Sequence, residues 1–131
     1  FRGLGKRARE KKAMQILNAV GLGTHAKHKP SQMSGGQQQR AGLARALVLD
    51  PKIIFADEPT GNLDSKTSEE MMELITGLMK KRNQTFIMVT HDPAMAAYAD
   101  KVINMLDGRV VGTTYNQHGD PPELQSVNES L

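Results

Sequence analysis

The chain has 131 residues, a hydrophobic fraction of 38% and a formal net charge of +3, enough for one domain with a modest core built on Met, Leu, Ile and Val. It has no cysteine, which excludes disulfides and thiolate metal sites, and no apolar run near the roughly 20 residues of a membrane-spanning helix. So mild a charge gives no cause to expect a nucleic-acid partner.

The basic residues gather early, at Arg2, Lys6, Arg7, Arg9, Lys11, Lys12, Lys27 and Lys29. They read as a solvated helix face, with contact to nucleic acid or anionic lipid as the lesser use of such a cluster. Lys6 to Val20 has the period of an amphipathic helix, with Ala13, Met14, Leu17 and Val20 as its apolar stripe and Gly21 and Gly23 to end it. A polar connector follows from Thr24 to Gln32. Its His25 and His28 have no other metal-ligand residue nearby in sequence and read as surface residues.

Ser34-Gly35-Gly36-Gln37 opens a second helix that runs to Leu49, with Leu43 and Leu47 on one face. Ser34 is a good N-cap. Two glycines in a first turn cost on the order of 1 kcal/mol each relative to alanine, a cost a fold tolerates where something must approach the backbone closely. A phosphate suits the place, because exposed amides, the helix dipole and a hydroxyl converge there. A flexible loop is the alternative for Ser-Gly-Gly alone.

Asp50-Pro51-Lys52 turns the chain into Ile53-Ile54-Phe55-Ala56, an unbroken apolar run that predicts a strand buried on both faces in a parallel sheet. Asp57 and Glu58 follow at its carboxyl end, where open α/β sheets bind ligands. Neighbouring acids repel and lose solvation there, whereas a magnesium ion and a phosphate-attacking water would use one each. A solvated acidic turn is the bland alternative. Pro59 pushes Glu58 away from helical angles, which predicts an extended Glu58.

After the tight loop Gly61-Asn62-Leu63-Asp64, the period of Met71, Leu74, Ile75, Leu78 and Met79 predicts a helix over 65–81, with Lys80, Lys81 and Arg82 matching its dipole. Thr85 to Thr90 reads as a second buried strand. A strand, a helix and a strand of these lengths imply a parallel crossover, which would bring His91 to the edge that carries Asp57 and Glu58. His91 is open to a capping, a packing or a phosphate-binding role. Asp92 and Pro93 start a short helix to Tyr98, Asp107-Gly108 marks a hairpin between 101–106 and 109–111, and a polar, disordered tail is expected from Gly112.

In this order the pieces resemble the second half of an ABC-transporter ATPase domain, from about Leu4 to Val111. Met33-Ser34-Gly35-Gly36-Gln37 resembles the signature motif, with Met33 where Leu is usual. Ile53 to Asp57 resembles the Walker B strand, Glu58 the catalytic glutamate, Gly61 to Asp64 the D-loop and His91 the switch histidine. The wording from Phe55 to Ser65 is similar to the subgroup that drives lipoprotein release, macrolide export and the cell-division ABC complex. No Gly-x-x-x-x-Gly-Lys-Ser/Thr loop is present; Gly5-Lys6 is followed by Arg7. The adenine-stacking aromatic and the glutamine loop are not identifiable either.

The resemblance implies an α/β fold, a partial P-loop NTPase sheet with flanking helices plus the end of the helical subdomain, lacking the Walker A half. It divides the chain into 1–33 (end of the helical subdomain and connector), 34–113 (second half of the ATPase core) and 114–131 (tail). It implies ATP and Mg2+ as cofactors, a second ATPase domain bound head to tail, transmembrane permease subunits, and a place at the cytoplasmic face of the membrane. Ser34, Gly35, Gly36 and Gln37 would meet the γ-phosphate of ATP held by the partner. Asp57 would hold magnesium through water, Glu58 would be the base, His91 would support the γ-phosphate, and Asp64 would link the two sites. The expected function is an ATPase subunit powering export or extraction, here as a fragment inactive alone. A non-catalytic chain lending only its signature face is the alternative. A DNA-repair or chromosome-organising ATPase would carry coiled-coil or zinc insertions, which are not seen.

Overall fold

The computed structural model describes residues 5–23 and 33–116, and the backbone of 125–127; the connector histidines His25 and His28 lie outside them. The chain forms two compact units, one ending at Val89 and one starting at Thr90, so the junction placed at 33/34 from sequence falls inside the first unit.

The first unit contains α1 (Lys6–Ala19), α2 (Gly35–Leu47), β1 (Ile53–Asp57), α3 (Ser65–Arg82) and β2 (Thr85–Val89). Gly21, at φ +77°, takes the left-handed conformation that ends α1. The face α1 buries is rotated from the expected stripe: Ile16 and Val20 are buried, while Met14 is exposed. α1 packs against α2 and α2 against α3, and these helices bury Leu43, Ala44 and Leu47 of α2 and Met71, Met72, Ile75, Leu78 and Met79 of α3. The methionines are core filler, whose flexible thioethers suit irregular gaps. Asn83, at φ +52°, closes α3 in the left-handed conformation that asparagine tolerates.

β1 and β2 pair in parallel, with Ile53 opposite Thr85, Phe55 opposite Ile87 and Asp57 opposite Val89. Their starts are held by two further bonds, from the Thr85 amide to the Lys52 carbonyl (2.9 Å) and from Gln84 Nε2 to the Pro51 carbonyl (2.7 Å). The expectation of burial on both faces does not hold. Ile54 is 6% exposed, but Ile53 is 49%, Phe55 74%, Ile87 43% and Val89 60% exposed. Alternate residues of a strand face opposite sides, and the register puts those four on one side. An unbroken apolar run does not by itself tell which of its two faces this chain covers.

In the second unit a short helix, α4 (Pro93–Ala96), precedes a sheet of three strands in the order β3 (Lys101–Leu106), β4 (Arg109–Tyr115) and β5 (Gln125–Val127), all antiparallel. Asp107 and Gly108, at φ +49° and +76°, form the two-residue turn whose twist suits a hairpin. Where a polar tail was expected from Gly112, β4 continues to Tyr115 and pairs with β5. Asn116 anchors that end: its amide donates to the Asp100 carbonyl at 2.9 Å, and its side chain donates to the Ala99 carbonyl at 2.8 Å. The tail expectation missed a strand whose pairing partner is supplied only by β4. Among the described residues, no helix is long and apolar enough to cross a membrane.

Chemical denaturation checks which face of the sheet and helix layer is inside. Ile75→Ala should lose about 2–5 kcal/mol, as truncations of buried branched side chains do. Phe55→Thr should stay within about 0.5 kcal/mol of the parent.

Candidate functional site

The carboxyl end of β1 is built by a turn that begins one residue later than the strand. The Glu58 amide donates to the Val89 carbonyl at 2.8 Å, carrying the β1–β2 ladder one step past Asp57. The chain then reverses. Glu58 takes φ +47°, its carbonyl accepts from the Gly61 amide at 3.1 Å, and the Thr60 carbonyl accepts from the Leu63 amide at 3.1 Å. The extended Glu58 expected from Pro59 is therefore corrected. The proline disfavours the right-handed helical region, and the tight reversal takes the left-handed one instead. For a residue with a Cβ this costs about 1–2 kcal/mol, held in place by the ladder bond behind and the buried Pro59 and Thr60 ahead. Asp57 is exposed and Glu58 half-buried.

Among the described residues no group of three or more His, Cys, Asp or Glu could hold a metal ion. A cation at Asp57 would take its remaining ligands from water and a bound phosphate, which is how magnesium is usually held; the donor set fits that ion and not a cage of protein ligands.

The start of α2 is a complete capping box. Ser34 Oγ accepts from the Gln37 amide at 3.2 Å, and Gln37 Oε1 accepts from the Ser34 amide at 3.1 Å. Gln37 is thus partly employed in folding its own helix. Gly35 and Gly36 occupy the first two helical positions, where amides have no acceptor within the helix. Ser34 and Gly35 are exposed, and the serine hydroxyl, having accepted one bond, can still donate its proton. With the positive end of the helix dipole, these donors suit an anion.

The glycines have different reasons to be glycine. A Cβ on Gly36 would sit 2.8 Å from Thr67 Cγ2, whereas one on Gly35 would meet only Leu63 Cδ2, at 3.5 Å. The close approach at Gly36 is to a side chain of this same chain, which sequence reasoning, looking for a ligand, did not foresee. Through this contact α2 and α3 begin side by side. Asp64 caps α3, its Oδ2 accepting from the Thr67 amide at 3.3 Å; hydrogen bonds from Thr67, first from its hydroxyl and then from its amide, hold the Asp64 carboxyl below the usual 3.8. The cap is legible as an acid before Ser65, whereas the resemblance implies for Asp64 only a link between sites. A second overlooked residue is Arg40. Its Nη1 donates to the Val20 carbonyl at 3.2 Å and ties α2 to the end of α1; a Cβ on the adjoining Gly21 would meet that nitrogen at 2.8 Å.

His91 belongs to the second unit, where it is exposed. Beside it, the Asp92 amide donates to Thr90 Oγ1 at 3.0 Å and Asp92 Oδ1 accepts from the Ala94 amide at 2.9 Å, the N-cap anticipated for α4. In the first unit β2 ends at Val89, opposite Asp57, and the chain continues through Thr90 to His91.

A family profile described as ABC transporter matches residues 3–61. The chain is 51% identical over 100 residues to the lipoprotein-releasing system ATP-binding protein LolD of Syntrophotalea carbinolica, covering 76% of this chain and 44% of that protein. It is 54% identical over 101 residues to the macrolide export ATP-binding/permease protein MacB of Chlorobaculum tepidum, covering 77% of this chain and 15% of that one. The solved dimer of MJ0796, a bacterial ABC transporter cassette, superposes with a TM-score of 0.75 at 43% identity, over 88% of this chain and 50% of the cassette. The same cassette has been solved in a post-hydrolysis state bound to ADP and Pi. The fold is thus the α/β fold of the P-loop NTPases that ABC cassettes share. Its homologues are ATP-binding proteins of ABC transporters, and it spans half the length of the solved cassette it matches.

Two measurements check the paired helix starts. Gly36→Ala would stabilise an ordinary helix, yet here it should destabilise by about 1–3 kcal/mol through overpacking; Thr67→Ser, which removes the methyl and keeps the hydroxyl, should restore most of the loss. Because the folded carboxyl of Asp64 titrates below its ordinary value, its cap bond stabilises above pH 3.8 and is lost as pH falls through the folded value. Asp64→Ala should therefore lower the melting temperature at neutral pH and converge with the parent in strong acid.

Proposed function

We propose that this chain is part of an ATP-binding and ATP-hydrolysing subunit that powers export or extraction of a substrate at the cytoplasmic face of a membrane, in the manner of its LolD- and MacB-type relatives. The observation that carries this is the capped, exposed N-terminus of α2 packed beside the loop that leaves Asp57 and Glu58. On this reading residues 1–33 end the helical subdomain and 34–113 form the second half of the ATPase core.

Ser34, Gly35, Gly36 and Gln37 meet the γ-phosphate of an ATP held by a second cassette, lying head to tail; the dimeric state of the MJ0796 cassette supports such a partner. Asp57 holds magnesium through its water shell, and the ion when bound neutralises phosphate charge. Glu58 takes the proton of the attacking water, His91 donates to a γ-phosphate oxygen, and Asp64 communicates between the paired sites. Transmembrane permease subunits are the mechanical partners, as the ATP-binding/permease name of MacB suggests. The strained backbone under Glu58 favours the base assignment, since left-handed non-glycine residues cluster at working sites.

The second reading is a non-catalytic chain that lends its signature face to an intact ATPase. It is favoured by a complete Ser34 capping box in a sequence that shows no Gly-x-x-x-x-Gly-Lys-Ser/Thr loop. Mg-ATP turnover by this chain joined to an amino-terminal cassette half separates the two, since on the second reading none is measurable, while strong Mg-ATP binding by the chain alone would contradict both.

The catalytic assignment is tested by fusing this chain to the amino-terminal half of the Syntrophotalea carbinolica LolD protein. Glu58→Gln in the fusion should slow ATP turnover about 10²–10⁴-fold, the usual size of a general-base effect, with ATP binding retained. Near-normal turnover would reject Glu58 as the base.

A further inference from the structure

We propose that the cavity between α1 and the end of α3 is a binding site for a phosphate monoester. It has a volume of about 410 Å³ and is lined by Ala8, Lys11, Lys12, Gln15, Ile16 and Arg82, within the size range of small-molecule sites. The α1 residues recur at the spacing that places them on one helix face. Ile16 is its buried floor, and Lys11, Lys12 and Gln15 bring ammonium and amide donors. Arg82 closes the cavity from the last turn of α3. Among the described residues three cations and no carboxylate thus line one small space. Asp50 and Arg82 stand just before β1 and β2, at the end of the sheet opposite Asp57.

The dipole of α3 accounts for cations at its end, and Lys80 and Lys81 serve that role in solvent. It gives no reason for Lys11 and Lys12 of another helix to share a space with Arg82. The Arg82 guanidinium supplies a second, independent observation. Its Nη2 donates to Asp50 Oδ1 at 3.1 Å, while its Nε is shut off from water and meets no acceptor among the described residues. A buried donor without an acceptor is destabilising, and calls for an ion or water to satisfy it. Phosphate oxygens accept from a guanidinium fork in the geometry arginine favours, and the two lysines balance the remaining negative charge. Asp50, 69% exposed, is the internal acid such a ligand displaces. No aromatic residue lines the space, so it offers no platform for a nucleic-acid base to stack on. Ala8 and Ile16 instead suit the aliphatic part of an ester.

A phosphate monoester reaches a protein free in solution or as a lipid headgroup, and two arms of one experiment tell these apart. The full chain is titrated calorimetrically with glycerol phosphate, and sedimented with phosphatidylcholine vesicles made with and without phosphatidic acid. Binding in the first arm identifies a soluble ester; binding only to the vesicles that carry phosphatidic acid identifies a headgroup. In whichever arm binds, Arg82→Gln should weaken it about 10- to 100-fold, the size of a lost charge-assisted hydrogen bond. Lys11→Gln, at an exposed position, should also weaken it, and keeps the test open if loss of the Asp50 bond unfolds the Arg82 variant. Arg7→Gln combined with Arg9→Gln removes two charges from α1 outside the cavity and should cost less than Arg82→Gln alone. Asp50→Asn suits the left-handed backbone there, at φ +52°, and should tighten binding about 2- to 5-fold by releasing Arg82 from an exposed ion pair. No binding in either arm, binding indifferent to both cavity substitutions, a loss from the Arg7 and Arg9 changes as large as that from Arg82→Gln, or an Asp50→Asn chain that melts earlier and binds no tighter would each overturn the proposal.

Discussion

The parallel pairing of β1 with β2 is the constraint from which the rest of the first unit follows. It aligns Asp57 with Val89, and the Val89 carbonyl then receives the Glu58 amide. That bond fixes where the strand stops and the reversal starts. The reversal in turn delivers the loop 59–64 to the start of α3, where Asp64 caps the helix and Thr67 meets Gly36. A slip of one residue in the pairing would exchange the two faces of each strand. Ile54 would be turned to solvent, and the acids would arrive at a different point of the loop.

The helices show a division of labour that neither glycine content nor hydrophobic period reveals. α2 is held at three places: its cap is internal to its own first turn, Gly36 abuts α3, and Arg40 grips the end of α1. The donors at its tip are thus fixed in direction before any anion arrives. Pre-set donors bind with less ordering cost than mobile ones. The same rigidity explains how two glycines persist in a first turn, since one is required by the crowding at Thr67 and the other stays open.

Much of this was legible in the residues themselves. Ser34, Asp92-Pro93 and Asp107-Gly108 are local signals whose geometry depends on a few neighbouring atoms, and the structure shows the two caps and the turn they imply. The helical period over 65–81 named most of the buried face of α3, missing Ser68 and Met72 and including Leu74, which is half-buried. What failed was non-local. The exposure of Phe55 depends on what lies across the sheet, the strand character of 112–115 on pairing, and the left-handed Glu58 on a hydrogen bond to a residue 31 positions on. For the candidate site, residue types and order were readable, but the Thr67 and Arg40 contacts that hold the pieces were not, because they join segments distant in sequence.

The backbone at Glu58 carries a consequence for anyone who would engineer this chain. Glycine is the residue that its dihedral angles favour, and substituting it would relax the turn. The same exchange would delete the half-buried carboxylate at the tip of the sheet. Sturdiness and acidity compete for a single position here, so a search for thermally hardier variants selected on folding alone would drift toward erasing that carboxylate.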